Sequence, residues 1–573
     1  MVVRAAGKNR QRFRARAPQV TSRAVAFAIA AAAVIGATPA WALPQGGVVQ
    51  AGTAKIMYRG PHMLNVVQTT PQAVINWQSF SIAVNETVNF SGPSAGAAVL
   101  NLVGGTTPSI ILGQLTANGQ VFTVNLNGVL YGEESAVTVG GLITTTATIT
   151  SENFIAGGNL AFSAGSNLGA TIVNRGEISV AKAGLLAFVA PGVENSGVIQ
   201  APLGSVALGS ADAFALDPNG NPLIQLVDDN FVAPRLVGPE GRPLDSLVSN
   251  SGAIRARGGI VLLAASTAQP IVSSSIDVSG ATRARTANLQ PGEIVVDAGP
   301  GPAIVSGTLD ASGVNTGEHG GDVEVLGNPT ELVAGSLIDL AGGAGGGIAA
   351  IGTTLARAKG GPSVSGQPVA NTTTVAQGSQ IIADALTAGN GGIVTVLSGD
   401  ATSMAGSISA RGGSQSGDGG FAEISGGTLS LAGTVDLSAV NGVAGTILLD
   451  PYDFTITPSM ANAVRAQMLA GNSRELILRA AHDLEVDAAI DGRGGKPGTR
   501  LVLRAGNQVR FNANVLTNNA PLEVDTGAGG LVAASGAGLC AGASSISVKT
   551  DGSIRSQDPF TFRPHCSTPR AVR

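Results

Sequence analysis

Aromatic and charged side chains are what this chain has least of, at 3% and 12% of its 573 residues. An ordinary globular enzyme draws on more of both, and a groove that stacks sugar rings or bases needs aromatic faces that are scarce here. The four histidines, His62, His319, His482 and His565, share no metal-ligand spacing. No Gly-x-Ser-x-Gly elbow, phosphate loop or dinucleotide fingerprint occurs, so no catalytic residue, metal or cofactor is expected. Beyond the N-terminus, no apolar run approaches the ~20 residues of a membrane-spanning helix.

The first 42 residues read as a targeting segment. Arg4, Lys8, Arg10, Arg12, Arg14, Arg16 and Arg23 make a basic start, Ala24 to Ala37 is apolar but too short to span a bilayer, and Ala40-Trp41-Ala42 is a small-x-small cleavage pattern. Cleavage is expected after Ala42. Losing those seven positive charges takes the formal charge from −4 to −11, which leaves no basic patch for nucleic acid. Export places the only cysteines, Cys540 and Cys566, in an oxidising compartment. A disulfide closing that loop stabilises the C-terminus by roughly 3 kcal/mol given suitable geometry.

Glycine is abundant, 81 residues in all, and it punctuates short runs of Val, Ile, Leu and Ala instead of diluting them. The runs recur. Gly176-Glu177-Ile178, Gly197-Val198-Ile199 and Gly252-Ala253-Ile254 each follow an asparagine; Ile294 and Val323, then Ile393 and Phe421, head similar strands just under thirty residues apart. A further word, Ile276-Asp277-Val278-Ser279-Gly280, returns as Leu309 to Gly313, Ile338 to Gly342 and Val435 to Ala439. Short strands at periods of roughly 20 to 30 with glycine at the corners describe a solenoid. The fold expected is all-β, a right-handed parallel β-helix, because coils that pair with their neighbours need little charged or aromatic surface. About 25 residues per coil gives about 21 coils and a stack on the order of 100 Å.

Within this pattern Asp277, Asp310 and Asp339 are expected to bond turn amides, although stacked they would resemble the carboxylate row of a polysaccharide-active β-helix. Trp77 and Phe80 are expected in the core. Ala341 to Gly366 reads as a protruding loop, and Ser459 to Ala470 as the one convincing helix, capped by Ser459 and ended by Gly471. Gly317 to Asp322 and Ser416 to Gly420 resemble calcium-binding repeats but are not tandem, so no calcium is assigned.

One stretch carries a family resemblance. Asn76-Trp77-Gln78-Ser79-Phe80, Val88-Asn89-Phe90, Asn101-Leu102-Val103-Gly104-Gly105, Pro108 to Gly113, Asn118 to Phe122 and the turn Asn125-Leu126-Asn127-Gly128 follow in one order over about sixty residues, with Gly132 and Val139 to Leu142 behind them. This order resembles the N-terminal secretion domain of filamentous-haemagglutinin-like exoproteins, the passengers of two-partner secretion. Leu126 stands where that family usually has proline, so the turn lacks a pre-set φ. Leu448-Leu449-Asp450-Pro451 is similar to the segment that closes a repeat block in such proteins.

The resemblance implies a signal peptide over 1–42, a capped secretion domain over 43–250, glycine-rich β-helix repeats over 251–456, and a β-helix end with a flexible tail and the Cys540–Cys566 pair over 457–573. It further implies export by the Sec machinery, then recognition by an outer-membrane barrel transporter with periplasmic receptor domains. Asn101, Gly104, Gly105, Gly113, Asn125, Asn127 and Gly128 would shape that recognition. The product would be a secreted or surface-exposed, non-enzymatic adhesin, binding an unknown host, cell-surface or carbohydrate ligand and tethered through its cysteines. The alternatives are a secreted polysaccharide-active enzyme and a structural matrix protein.

Overall fold

The computed structural model describes residues 43–217, 224–227, 236–266, 274–364, 366–494, 498–557 and 561–563. The leader with Ala42, and Cys566 with the final tail, lie outside the described residues. The described residues form one compact unit built as a parallel β-helix. Each regular coil contributes a strand to each of three sheets. A long sheet of 18 strands runs from Val48–Ala51 to Ile546–Thr550, a second of 11 from Ser109–Ile111 to Thr428–Leu431, and a third of 14 from Ala54–Tyr58 to Thr434–Asp436.

The register explains the repeat. Val261, Ile294, Val323 and Ala349 pair in successive coils, as do Ile393 and Phe421, and Ile178, Ile199 and Ile254. The aliphatic residue that alternation turns inward stands on its equivalent one coil below: Val261, Ile294, Val323 and Ala349, and likewise Ile178, Ile199 and Ile254, are fully buried, whereas Ile393 and Phe421 are half-buried. Corners close by backbone contact: a Cβ on Gly259 would lie 1.8 Å from the Gly204 carbonyl oxygen, so only glycine lets those coils approach.

Two features of the sequence are placed differently from expectation. Ile276-Asp277 lies in the second sheet, in register with Ala303-Ile304, whereas Leu309-Asp310 and Ile338-Asp339 pair in the third. Both sheets ask for an aliphatic residue beside a small corner, so a five-residue word does not tell them apart. The long sheet has 17 parallel strands between Gln72 and Thr550, one per ~30 residues, fewer coils than expected because several corners carry excursions.

Those excursions cover exposed faces. At the N-terminus, Val48–Ala51 pairs antiparallel with Gln72–Trp77, and Ala54–Tyr58 antiparallel with Met63–Gln68, which closes the first edge of the stack against further pairing. The outer row Val74, Leu100, Phe122, Ile143, Ala187 and Ala207 is apolar. It lies under a helix, α1 (Ser151–Ala156), and a three-stranded antiparallel sheet of Leu160–Phe162, Phe214–Leu216 and Ile224–Leu226. Phe154 of α1 meets Phe122 edge-on at 5.1 Å, and Phe162 stacks on Phe214 at 4.3 Å.

Farther along, the same outer row becomes Glu324, Ala350, Thr395 and Glu423. The segment 341–366 is not a protruding loop: Ile348–Ile351 joins the long sheet, and α2 (Leu355–Gly360) folds back onto that row. Glu324 accepts the Leu355 N–H at 2.7 Å, and Arg357 forks onto Glu423 at 3.1 and 2.5 Å. Burial pushes the Glu324 carboxyl up to about 6, against the partial relief given by the Leu355 N–H. Its proton is bound more tightly in the folded chain, so the cost of its charge is present above pH 6 and relieved as pH falls from about 6 towards the ordinary value near 4.5. Glu324→Gln keeps the acceptor and removes the charge. It is expected to stabilise the α2 region by about 1–2 kcal/mol at pH 7.5 and to flatten its pH 5–7 dependence, read by amide exchange of 355–358. An unchanged profile counts against the assignment.

The third helix, α3 (Pro458–Ala470), is capped by Thr457 instead of Ser459, with Pro458 in the first turn and Gly471 left-handed at the end (φ 63°). Its apolar face, Met460, Val464 and Met468, plugs the core where the second and third sheets stop. They are succeeded by new sheets beginning at Phe454–Ile456 and Ile490–Asp491, while the long sheet runs on from Thr446–Leu449 to Glu475–Ala480.

Candidate secretion-recognition site

Strand Gln120–Asn125 of the long sheet and strand Val129–Tyr131 of the second sheet meet at the turn Asn125-Leu126-Asn127-Gly128. It is a corner within one coil and not a hairpin between neighbours. Gly128 N–H donates to the Asn125 carbonyl at 3.1 Å, and Asn127 N–H to Asn125 Oδ1 at 2.9 Å. Gly128 sits at φ 97°, and a Cβ there would lie 2.6 Å from the Thr171 carbonyl oxygen.

Both asparagines also reach into the coil below. Asn125, fully buried, donates through Nδ2 to the Thr107 carbonyl at 3.1 Å and Ser109 Oγ at 2.9 Å, and Asn127 donates to the Gly105 carbonyl at 2.9 Å. The 104–109 corner and the 125–128 corner are thus one hydrogen-bonded block. Gly104, Thr106 and Thr107 are exposed on it, and Gly105, Pro108, Leu126 and Asn127 are half-buried.

Asn101 is placed inside. It accepts the Trp77 indole N–H at 2.9 Å and donates to the Phe122 carbonyl at 3.1 Å, with no exposure of its own. Trp77 meets Phe80 edge-on at 5.7 Å and Phe80 stacks on Phe90, so the scarce aromatics fill the first coils as expected. Gly104 N–H bonds the Trp77 carbonyl, and a Cβ on Gly105 would lie 2.2 Å from the Gln78 carbonyl oxygen. Gly113 stands apart at the next corner, against Ala83 and Glu86. Two groups therefore form, Asn101 with Gly104 around Trp77 and Gly105 with Asn125, Asn127 and Gly128, while Gly113 joins neither.

Other titratable groups are engaged locally. Asp310 accepts from Ser312 N–H and Oγ and from Arg285, and Asp339 accepts from Ala341 N–H, which is the turn role expected of these two; Asp436 accepts from Ser438 N–H in the same way. Asp277, in the second sheet, is not in that row. Sequence reasoning missed the grouping of Asp453, His482 and Asp483, whose ligand atoms lie within 4.8 Å of one another, Asp453 and His482 exposed and Asp483 half-buried; only the coil length makes residues 453 and 482 neighbours. Cys540, buried in the last coils, is disulfide-bonded.

An antiparallel lid on the first coil, a shielded outer face and an asparagine-braced corner define the capped head of a parallel β-helix. Residues 40–325 match the TPS secretion domain family. The chain carries this domain and belongs to that family: it is a filamentous-haemagglutinin-like exoprotein of two-partner secretion. Among solved structures it is similar to the HMW1 secretion domain from Haemophilus influenzae, at 29% identity and a TM-score of 0.57 over 69% of this chain and 99% of that one. Two heme/hemopexin-binding proteins of Haemophilus influenzae are 41% identical over 128 residues and 36% over 103. These matches cover 22% and 18% of this chain and 14% and 11% of those proteins. Exoproteins of this type are secreted across the outer membrane to the cell surface or beyond, and the domain implies a cognate outer-membrane transporter.

Proposed function

We propose that the braced corner of residues 104–109 and 125–128 is what the transporter's periplasmic receptor domains recognise after Sec-dependent export, with segment 43–250 as the minimal export address. The observation that supports this is the use of Asn125 and Asn127 as struts between two coils: buried Asn125 and half-buried Asn127 hold an exposed backbone loop, Gly104 to Thr107, in one shape. Asn101, Gly104, Gly105 and Gly128 act as positioning residues in this reading, and Gly113 shapes the neighbouring corner. Coils emerging outside the cell would each template the next, so folding itself would favour outward movement.

The delivered stack is read as a non-enzymatic surface-binding protein, an adhesin, anchored or stapled through Cys540 and Cys566. Engagement of Asp310 and Asp339 by turn amides and arginine favours this over a polysaccharide-cleaving role, because neither carboxylate is left poised over a groove. Co-expression with the cognate transporter tests the export address. The extracellular fraction should fall to background when 43–250 is deleted, and by about tenfold in an Asn125→Ala/Asn127→Ala variant whose circular dichroism remains β. Undiminished export of the deletion rules the proposal out.

A further inference from the structure

Far from the matched domain, the corners that follow seven successive long-sheet strands line a trough of about 670 Å³, from Leu397–Gly399 to Lys549–Asp551. It opens where the second sheet stops after Leu431 and a new one begins at Phe454, because the intervening corner, Asp450-Pro451-Tyr452, is no longer stacked in the old line. At ~4.8 Å per coil, seven corners extend over roughly 30 Å. The floor is made of small residues, Ala480, Ala505, Gly506 and Gly527 among them, and is packed tightly: a Cβ on Gly527 would lie 1.9 Å from the Gly506 carbonyl oxygen.

The side chains rising from this floor are matched in charge. Arg479, Arg504 and Lys549 face Asp450, Asp525 and Asp551. Arg479, Arg504, Asp525 and Lys549 occupy one register position in four consecutive coils. Arg479 forks onto Asp450, and Arg504 reaches Asp525 at 3.4 Å. Such pairs hold planar donors and acceptors side by side at fixed spacing, with no net field to select an ion. Tyr452 stands at the rim, 62% exposed; its ring stacks on His482 at 6.0 Å and 9°, and His482 is held in turn by Asp453 at 3.1 Å. An exposed aromatic in an otherwise aromatic-poor chain, its plane fixed from behind, is a stacking platform.

We propose that this trough binds a linear, neutral oligosaccharide laid along the coil axis. The sugar hydroxyls would bridge the arginine–carboxylate pairs, and one pyranose face would rest on Tyr452. A linear glycan advances per ring by nearly the coil spacing, so successive rings would meet charged side chains at the same register position of successive coils. This rests on the surface-binding reading and supplies its ligand class, but it is independent of the export address, since the trough lies outside residues 40–325.

The test is calorimetric titration of the secreted full chain with neutral hexasaccharides of glucose (β-1,4, β-1,3 and α-1,4) and of mannose (β-1,4), and with a hexagalacturonate as the anionic comparison. At least one neutral hexamer should bind, and Tyr452→Ala and Arg504→Gln should each weaken it by about tenfold or more with secretion unchanged. Binding of none of them overturns the proposal. So does binding that both variants leave intact, or preference for the hexagalacturonate with steep salt dependence. Loss of secretion in the 43–250 deletion bears on export alone, so the two readings fail separately.

Discussion

Arg357→Met should loosen the chain more than any other single change considered, by about 3–5 kcal/mol at the α2 clamp, because Glu423 is left charged with no exposure to water. The effect is local. In a stack of coils each unit leans on its neighbours alone, so the loss should appear as faster amide exchange in 355–360 and 421–425, with the first coils unchanged. Replacing both partners, Arg357→Met with Glu423→Leu, should recover most of the loss, since an apolar pair leaves no buried charge behind. If the single variant exchanges like the parent, the ion pair does not hold the helix.

Asn195→Leu should open the stack at its second-to-third-sheet corner. Asn174 donates to Asn195 Oδ1 at 2.7 Å, and Asn195 to Asn250 Oδ1 at 2.7 Å, the three in register in the second sheet; Asn250 donates in turn to Thr282 Oγ1 of the third sheet at 3.0 Å, and all four are buried. Removing the middle rung leaves an amide donor and an amide acceptor without their partners, at a cost of about 2–4 kcal/mol. Amides of 193–200 and 248–255 should then exchange about 30- to 800-fold faster. Exchange within about threefold of the parent shows that the ladder is not a unit.

The ladder also marks how far reading along the chain reaches. The three asparagines were visible as residues preceding Gly176, Gly197 and Gly252, but their irregular separations, 174 to 195 to 250, hid that they stack. An excursion of the cover sheet, with Phe214 and Ile224, is inserted in the second gap. The same applies to the recognition corner. Its turn chemistry was legible at Asn125 and Gly128, whereas the reach of Asn125 to Ser109 and of Asn101 to Trp77 was not, since both cross from one coil to the next.

Composition and local order alone fixed three things about this protein: parallel coils, a basic-apolar leader pattern, and the motif order of a secretion domain. Short aliphatic runs and corner glycines have one economical way to bury surface and pair their backbones, so those conclusions need no knowledge of neighbours. Only the tertiary structure decided which coil faces which: that Asp277 belongs to another sheet from Asp310, that 348–351 is a strand under a clamped helix, and that Tyr452, Arg479 and Arg504 share one trough. Each of these depends on the length of the excursion between strands, and a loop that leaves the stack and returns adds residues without adding a coil.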